Sequence, residues 1–106
     1  MIKLEIDSLE YDLDDDLRSR IIDRIGGLDE FTNGLEKGHV AVSWEGGSHE
    51  QTRVSVEVWG GGSHFDASDT DWKPVKAIDK TRQKLESQIT REHSKELKSR
   101  DQHPRK

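Results

Sequence analysis

In three stretches of this chain the apolar side chains recur at every second residue. Ile2, Leu4 and Ile6 alternate with Lys3, Glu5 and Asp7, and Val40, Val42 and Trp44 alternate with small or polar neighbours. Val54, Val56 and Val58 alternate with Arg53, Ser55 and Glu57. Successive side chains of an extended backbone point to opposite faces, so each run predicts a strand with one apolar and one polar face. Strands of this kind build a sheet covered on one side only. The predicted strands are 2–7, 39–44 and 52–59, with a short fourth over 63–67 that turns Phe65 and Ala67 inward. Trp44 shares the phase of the valines and is expected in the core. Trp59 is out of phase and is expected at a strand end, partly covered by a loop.

Two further stretches repeat with the period of a helix. Leu17, Ile21, Ile25 and Leu28 stand at i, i+4, i+8 and i+11. Asp14 is placed to cap this helix, and Asp15 and Asp16 complement the positive end of its dipole. Gly26 and Gly27 end it or weaken it on the way to Phe31, since glycine costs about 1 kcal/mol in a helix interior. Val75, Ile78, Leu85 and Ile89 form the second stripe, with Thr81 or Arg82 in its gap and Pro74 in the first turn, where a missing N–H is harmless. Asp69 or Asp71 is expected to cap this helix and Trp72 to staple it to the body. Asn33–Gly34, the glycine pair Gly46–Gly47 and Gly60–Gly62 supply turns. The order is β-α-β-β-β-α. The first two strands are expected to be parallel through a right-handed crossover, the last three to form a meander. Both helices need an apolar surface and only one sheet face offers it, so the fold predicted is a two-layer α/β (α+β) sandwich with both helices on one face of a four-stranded sheet.

The core must be small. Leu, Ile, Val and Phe make up 23 of 106 residues, and 37% of the chain is charged, close to the composition at which chains no longer fold alone. A single domain over 1–98 and a disordered basic tail over 99–106 follow as expectations. No apolar run is long enough to span a membrane, and the N-terminus has no apolar segment of a signal peptide. There are no cysteines, which excludes disulfides and thiol chemistry and suits the cytoplasm.

No catalytic or metal-binding constellation is legible. The acids at 12 and 14–16 are explained by capping. Asp66, Asp69 and Asp71 lack the glycine and closing glutamate of a calcium loop, and Asp66 is expected to face solvent. His39, His49, His64, His93 and His103 fit no ligand spacing, and no Ser/His/Asp set is apparent. The glycines join strands, whereas a phosphate loop leads into a helix. The outward positions Arg53, Ser55 and Glu57 are polar, unlike the aromatic platform of an RNA-recognition-motif sheet. The expectation is therefore no enzyme, no cofactor, no small-molecule substrate and no membrane partner.

Charge is distributed unevenly. Residues 1–70 carry 6 basic and 16 acidic side chains, and residues 71–106 carry 11 basic and 6 acidic. Lys73, Lys76, Lys80, Lys84 and Arg91 step by 3, 4, 4 and 7 and so share one face of the second helix. Such a ridge can follow a phosphate backbone; alternatively it is a solvated face balanced by acids such as Asp79 and Glu86.

The sequence also resembles a family. The element order, the first helix DDLRSRIIDRIGGLDEF and the second VKAIDKTRQKLESQI are similar to those of the ribosome hibernation-promoting factors, also called the ribosome-associated inhibitor or sigma-factor modulation family. The likeness runs over about residues 1–95. Its most specific pieces are Ala77-Ile78-Asp79, Lys84-Leu85-Glu86, Gln88-Ile89, Asp66-Ala67-Ser68 and the first-helix residues Leu17, Arg18, Ile21, Asp23, Arg24, Ile25 and Leu28. The chain departs from the family where lysines are usual at Gly27 and Glu30, where a basic residue is usual near Ser87, and where Asp-x-Tyr is common at Lys73-Pro74-Val75. The resemblance implies a short-form, monomeric, non-enzymatic factor that lodges in the small ribosomal subunit, contacts ribosomal RNA and silences translation under stress. By position, the RNA contacts it implies are Arg18, Arg20 and Arg24 from the first helix, and Lys76, Lys80, Lys84 and Arg91 from the second. A family-like domain that has lost ribosome binding and serves as a protein-interaction module is the alternative expectation.

Overall fold

The computed structural model describes residues 2–9, 12–30, 34–45 and 51–102, apart from the side chains of residues 9, 45 and 93–102. Its elements are β1 (Lys3–Leu9), α1 (Asp15–Gly26), a 3-10 turn (Gly27–Glu30), β2 (Lys37–Glu45), β3 (Gln51–Gly60), β4 (Ser63–Asp71) and α2 (Pro74–Gln102). The strands lie in the order β1-β2-β3-β4. β1 is parallel to β2, and β2, β3 and β4 form an antiparallel meander. Both helices pack on the same face, so the two-layer β-α-β-β-β-α sandwich expected from the periodicities is the fold observed.

Each element begins and ends for a local reason. Asp14 caps α1 by accepting the Leu17 N–H at 2.8 Å, with Asp15 and Asp16 in the first turn. The α-helix stops at Gly26, and the chain continues as a 3-10 turn that buries Leu28. Gly61 and Gly62, with φ of 57° and 83°, make the two-residue turn between β3 and β4. Gly60 is required by contact as well as by its φ of 151°, because a Cβ there would lie 2.1 Å from the Gly34 carbonyl oxygen. This approach lets the Glu36 N–H donate to the Trp59 carbonyl at 3.0 Å, which ties the start of β2 to the end of β3.

Between the layers Ile21, Ile25 and Leu28 meet Val40, Val42, Val54, Val56 and Val58 under Ile78 and Leu85, all at most 1% exposed. Burial of each such side chain contributes about 1.5–3 kcal/mol, so this single cluster supplies most of the drive to fold. Leu4 and Ile6, at the sheet edge, are half-buried rather than fully covered. Thr81 fills the gap in the α2 stripe with no exposure, its hydroxyl donating to the Ala77 carbonyl at 2.8 Å.

Several expectations are corrected. Trp44 has the predicted phase but is 49% exposed. It lies across from Thr52, itself across from Asp71, the last residue of β4, so this rung is level with the start of the helix layer. Trp72, in the bend before α2, is 63% exposed rather than buried against the body, and Val75 stands 37% exposed on the flank of α2 rather than in its stripe. β4 is four residues longer than expected, reaching Asp71. Asp71 accepts the Lys73 N–H at 3.0 Å, one step short of capping the helix, while the Lys73 carbonyl accepts the first helical bond from Ala77. The helix continues to Gln102, and residues 103–106 of the expected tail, Asn33, the 46–50 turn with His49, and His103 lie outside the described residues.

Candidate nucleic-acid interface

β4 is an edge strand, and its outer backbone groups have no strand to bond. α2 runs back along this edge. Four helical residues rise about 6 Å and two strand residues span about 6.7 Å, so side chains at i, i+4 and i+8 meet alternate carbonyls of an antiparallel strand. Lys80 Nζ donates to the Thr70 carbonyl and Lys84 Nζ to the Ser68 carbonyl, both at 2.9 Å, and Gln88 donates to the Asp66 carbonyl. The next position is Glu92, which has no side-chain proton to give, and the ladder stops.

Two carboxylates stand beside this ladder. Asp69 lies 3.5 Å from Lys80 Nζ and 3.2 Å from Lys84 Nζ, and Asp71 lies 3.4 Å from Lys80 Nζ. Partial burial pushes the Asp69 carboxyl up, but the Thr70 N–H and the two ammonium groups outweigh it and leave it below the ordinary value. The Lys73 N–H holds Asp71 down in the same direction, against some desolvation and with help from Lys80 and Lys76.

The seven residues implied as RNA contacts do not form one patch. Lys76, Lys80, Lys84 and Arg91, with Lys73, occupy the flank of α2 over β4. Arg20 and Arg24 lie on the opposite flank of α2, in the cleft between helices, where both pair with Asp79 at 3.7 and 3.5 Å. Arg18 is turned to the far side of α1, away from that cleft, since about 100° separates successive helical residues. Lys76, Arg91 and Arg18 are exposed and have no ion pair among the described residues. The head of the cleft is acidic, a groove of about 550 Å³ lined by Asp12, Asp14, Asp16 and Asp23.

The uncovered sheet face is mixed in charge. His39 Nε2 meets Asp7 at 2.7 Å and His64 Nε2 meets Glu57 at 3.2 Å. Trp59, 37% exposed, sits beside Lys37 and His64 in the register of this face, with Asp66 and Glu57 one rung further along. Among the described residues no three His, Asp or Glu side chains are placed to hold a metal ion, and no helix is long and apolar enough to cross a membrane.

The pairing of Asp69 and Asp71 with Lys80 and Lys84, and the Gln88 rung, are the contacts that sequence reasoning missed. Their signal was present: Asp69 and Asp71 continue the period of two beyond Ala67, and Gln88 continues the Lys80–Lys84 step.

The family described as Sigma 54 modulation protein / S30EA ribosomal protein matches residues 4–96. No curated protein matches the sequence. Among solved structures, the fold is similar to the crystal structure of the Thermus thermophilus Protein Y N-terminal domain, with a TM-score of 0.74 and 23% identity over 86% of this chain and 98% of that one. It is also similar to a ribosomal subunit interface protein from Coxiella burnetii, with a TM-score of 0.76 and 16% identity over 88% of this chain and 99% of that one.

Proposed function

The chain belongs to the sigma 54 modulation protein / S30EA ribosomal protein family, and from that premise we propose that it is a non-enzymatic ribosome-binding factor. It acts in the cytoplasm as a single-domain monomer, seats on ribosomal RNA of the small subunit and inhibits translation under stress. The observation that carries this reading is the basic stripe of α2: Lys73, Lys76, Lys80, Lys84 and Arg91 line one exposed flank, with Lys80 and Lys84 held in place along the sheet edge. A stripe of cations along a rigid rod meets a phosphate backbone at several points at once. The similarity to a protein named for the ribosomal subunit interface points the same way.

The test is cosedimentation with ribosomes over a range of salt. Each phosphate contact contributes a log–log slope of about -0.9 on duplex-like RNA and about -0.7 on single strands. Lys76→Gln with Arg91→Gln removes two exposed cations that form no ion pair among the described residues, so the slope should flatten by about 1.4 to 1.8 units with little change in melting. Absence of binding at low salt, or equal binding by the double variant, overturns the reading. The internal pairing of Arg20, Arg24, Lys80 and Lys84 favours a second reading, a protein-interaction module. In that case a specific complex survives ribonuclease and depends little on salt.

A further inference from the structure

Lys80 and Lys84 are two of the five cations of the stripe, yet neither ammonium group is at liberty. Lys80 Nζ donates to the Thr70 carbonyl and to Asp71 and lies 3.5 Å from Asp69; Lys84 Nζ donates to the Ser68 carbonyl and lies 3.2 Å from Asp69. The carbonyls alone suffice to hold the two chains at the edge. The carboxylates add something different, two negative charges beside the ammonium groups, themselves only about one-fifth exposed. Both lysines remain about half exposed, so the pairs are reachable from solvent.

We propose that Asp69 and Asp71 set the selectivity of this surface, acting as internal competitors for phosphate. Isolated phosphates and irregular polyanions meet an electrically satisfied Lys80–Lys84 segment and gain little. A rigid RNA that engages Lys76 and Arg91 at the same time brings several phosphates into register with the stripe and displaces the carboxylates. The partner chemistry is therefore a structured, helical RNA backbone, in preference to flexible single strands. Both carboxylates lie below the ordinary carboxylate range and so stay charged at neutral pH, which keeps the competition in force. Asp69 and Asp71 touch no RNA in this scheme; they act through the lysines and are positioning residues.

This inference rests on the reading of the α2 stripe as an RNA surface, and the experiment separates the two. Binding of the whole chain to small ribosomal subunits, to poly(U) and to a generic RNA duplex is measured at low salt for the wild type and three variants: Lys76→Gln with Arg91→Gln, Asp69→Asn with Asp71→Asn, and Asp69→Glu with Asp71→Glu. Melting curves accompany each. At 4 Å in water one unit charge changes an affinity by about fivefold, so the Asn pair should bind poly(U) at least about tenfold more tightly, with a salt slope steeper by one to two units. Subunit binding should change less, so the ratio between the two ligands falls. The Glu pair should restore the wild-type ratio. Should one Asn substitution unfold the chain, Asp71→Asn alone must still raise poly(U) binding. Subunit binding that is lost in the Lys76/Arg91 variant, with poly(U) affinity unchanged or weaker in the Asn pair, overturns the selectivity role alone. No difference between wild type and the Lys76/Arg91 variant on any RNA overturns the RNA surface and the selectivity role with it.

Discussion

Asp69 shows how one side chain answers to its neighbours rather than to its own sequence position. On an alternating strand it shares the inward phase of Phe65 and Ala67, which puts a carboxylate on the helix-facing side. In the fold it accepts the Thr70 N–H at 2.8 Å and faces two lysines from an element that starts five residues later. Its carboxyl, like that of Asp71, sits below the ordinary value near 3.8. The unfolded chain therefore takes up protons first on acidification. The stabilisation is complete above the unfolded value of about 3.9 and is lost as pH falls through the folded value. Melting temperature should be flat from pH 7 to about 5 on this account and decline below about 4, and the decline should be shallower in Asp69→Asn with Asp71→Asn. Scanning calorimetry across pH decides it, and parallel declines would show that other carboxylates dominate. Trp44 gives the opposite lesson: its phase was legible, but cover for an indole depends on where the helix layer begins.

For the elements, the pairing of α2 with the β4 edge is the arrangement that a list of propensities does not contain. Alternation marks a strand and a stripe marks a helix, but which carbonyls a lysine reaches follows from the match between a four-residue helical step and a two-residue strand step. Because Lys80 and Lys84 are about half exposed, water replaces them readily at the carbonyls. Lys80→Ala with Lys84→Ala should cost no more than about 1 kcal/mol in chemical denaturation, as for other surface pairs. Its larger effect should be on association: the outer row of β4 loses its cover, and uncovered edges pair with other chains. Light scattering at rising concentration should show more self-association than in the wild type. A strictly monomeric variant would mean that the helix backbone alone protects the edge.

Across the whole molecule the charges are separated along the helix layer. The head of the cleft holds Asp12, Asp14, Asp16 and Asp23, while the flank over β4 holds the lysine stripe. With a net charge of -5, a polyanion is repelled at long range and attracted only along one flank, which orients the encounter and slows it. Asp12→Asn with Asp23→Asn removes two exposed acids that cap no helix. It should raise the association rate with ribosomes at low salt, leave dissociation nearly unchanged, and lose its effect as salt rises. Stopped-flow measurement tests this, and a change confined to dissociation would place those acids inside the contact.

The order of elements, the parallel first crossover, the shared helical face and nearly all of the core were legible in the residue pattern, because burial acts on periodicity and periodicity is local. The sequence also carried the family likeness and the basic stripe of α2. Which of those charges are engaged depends on contacts made in the folded chain. Arg20 and Arg24 meet Asp79 from another helix, and Lys80 and Lys84 meet Asp69 and Asp71 from the edge strand. The fold likewise leaves Trp44 and Trp72 exposed and requires Gly60 to be glycine, since a carbonyl from a distant loop fills the place of its side chain. The division has one physical cause: hydrophobic burial is non-directional and follows the pattern of a single element, whereas ion pairs, hydrogen bonds and steric contacts act over a few ångströms between residues that only folding brings together.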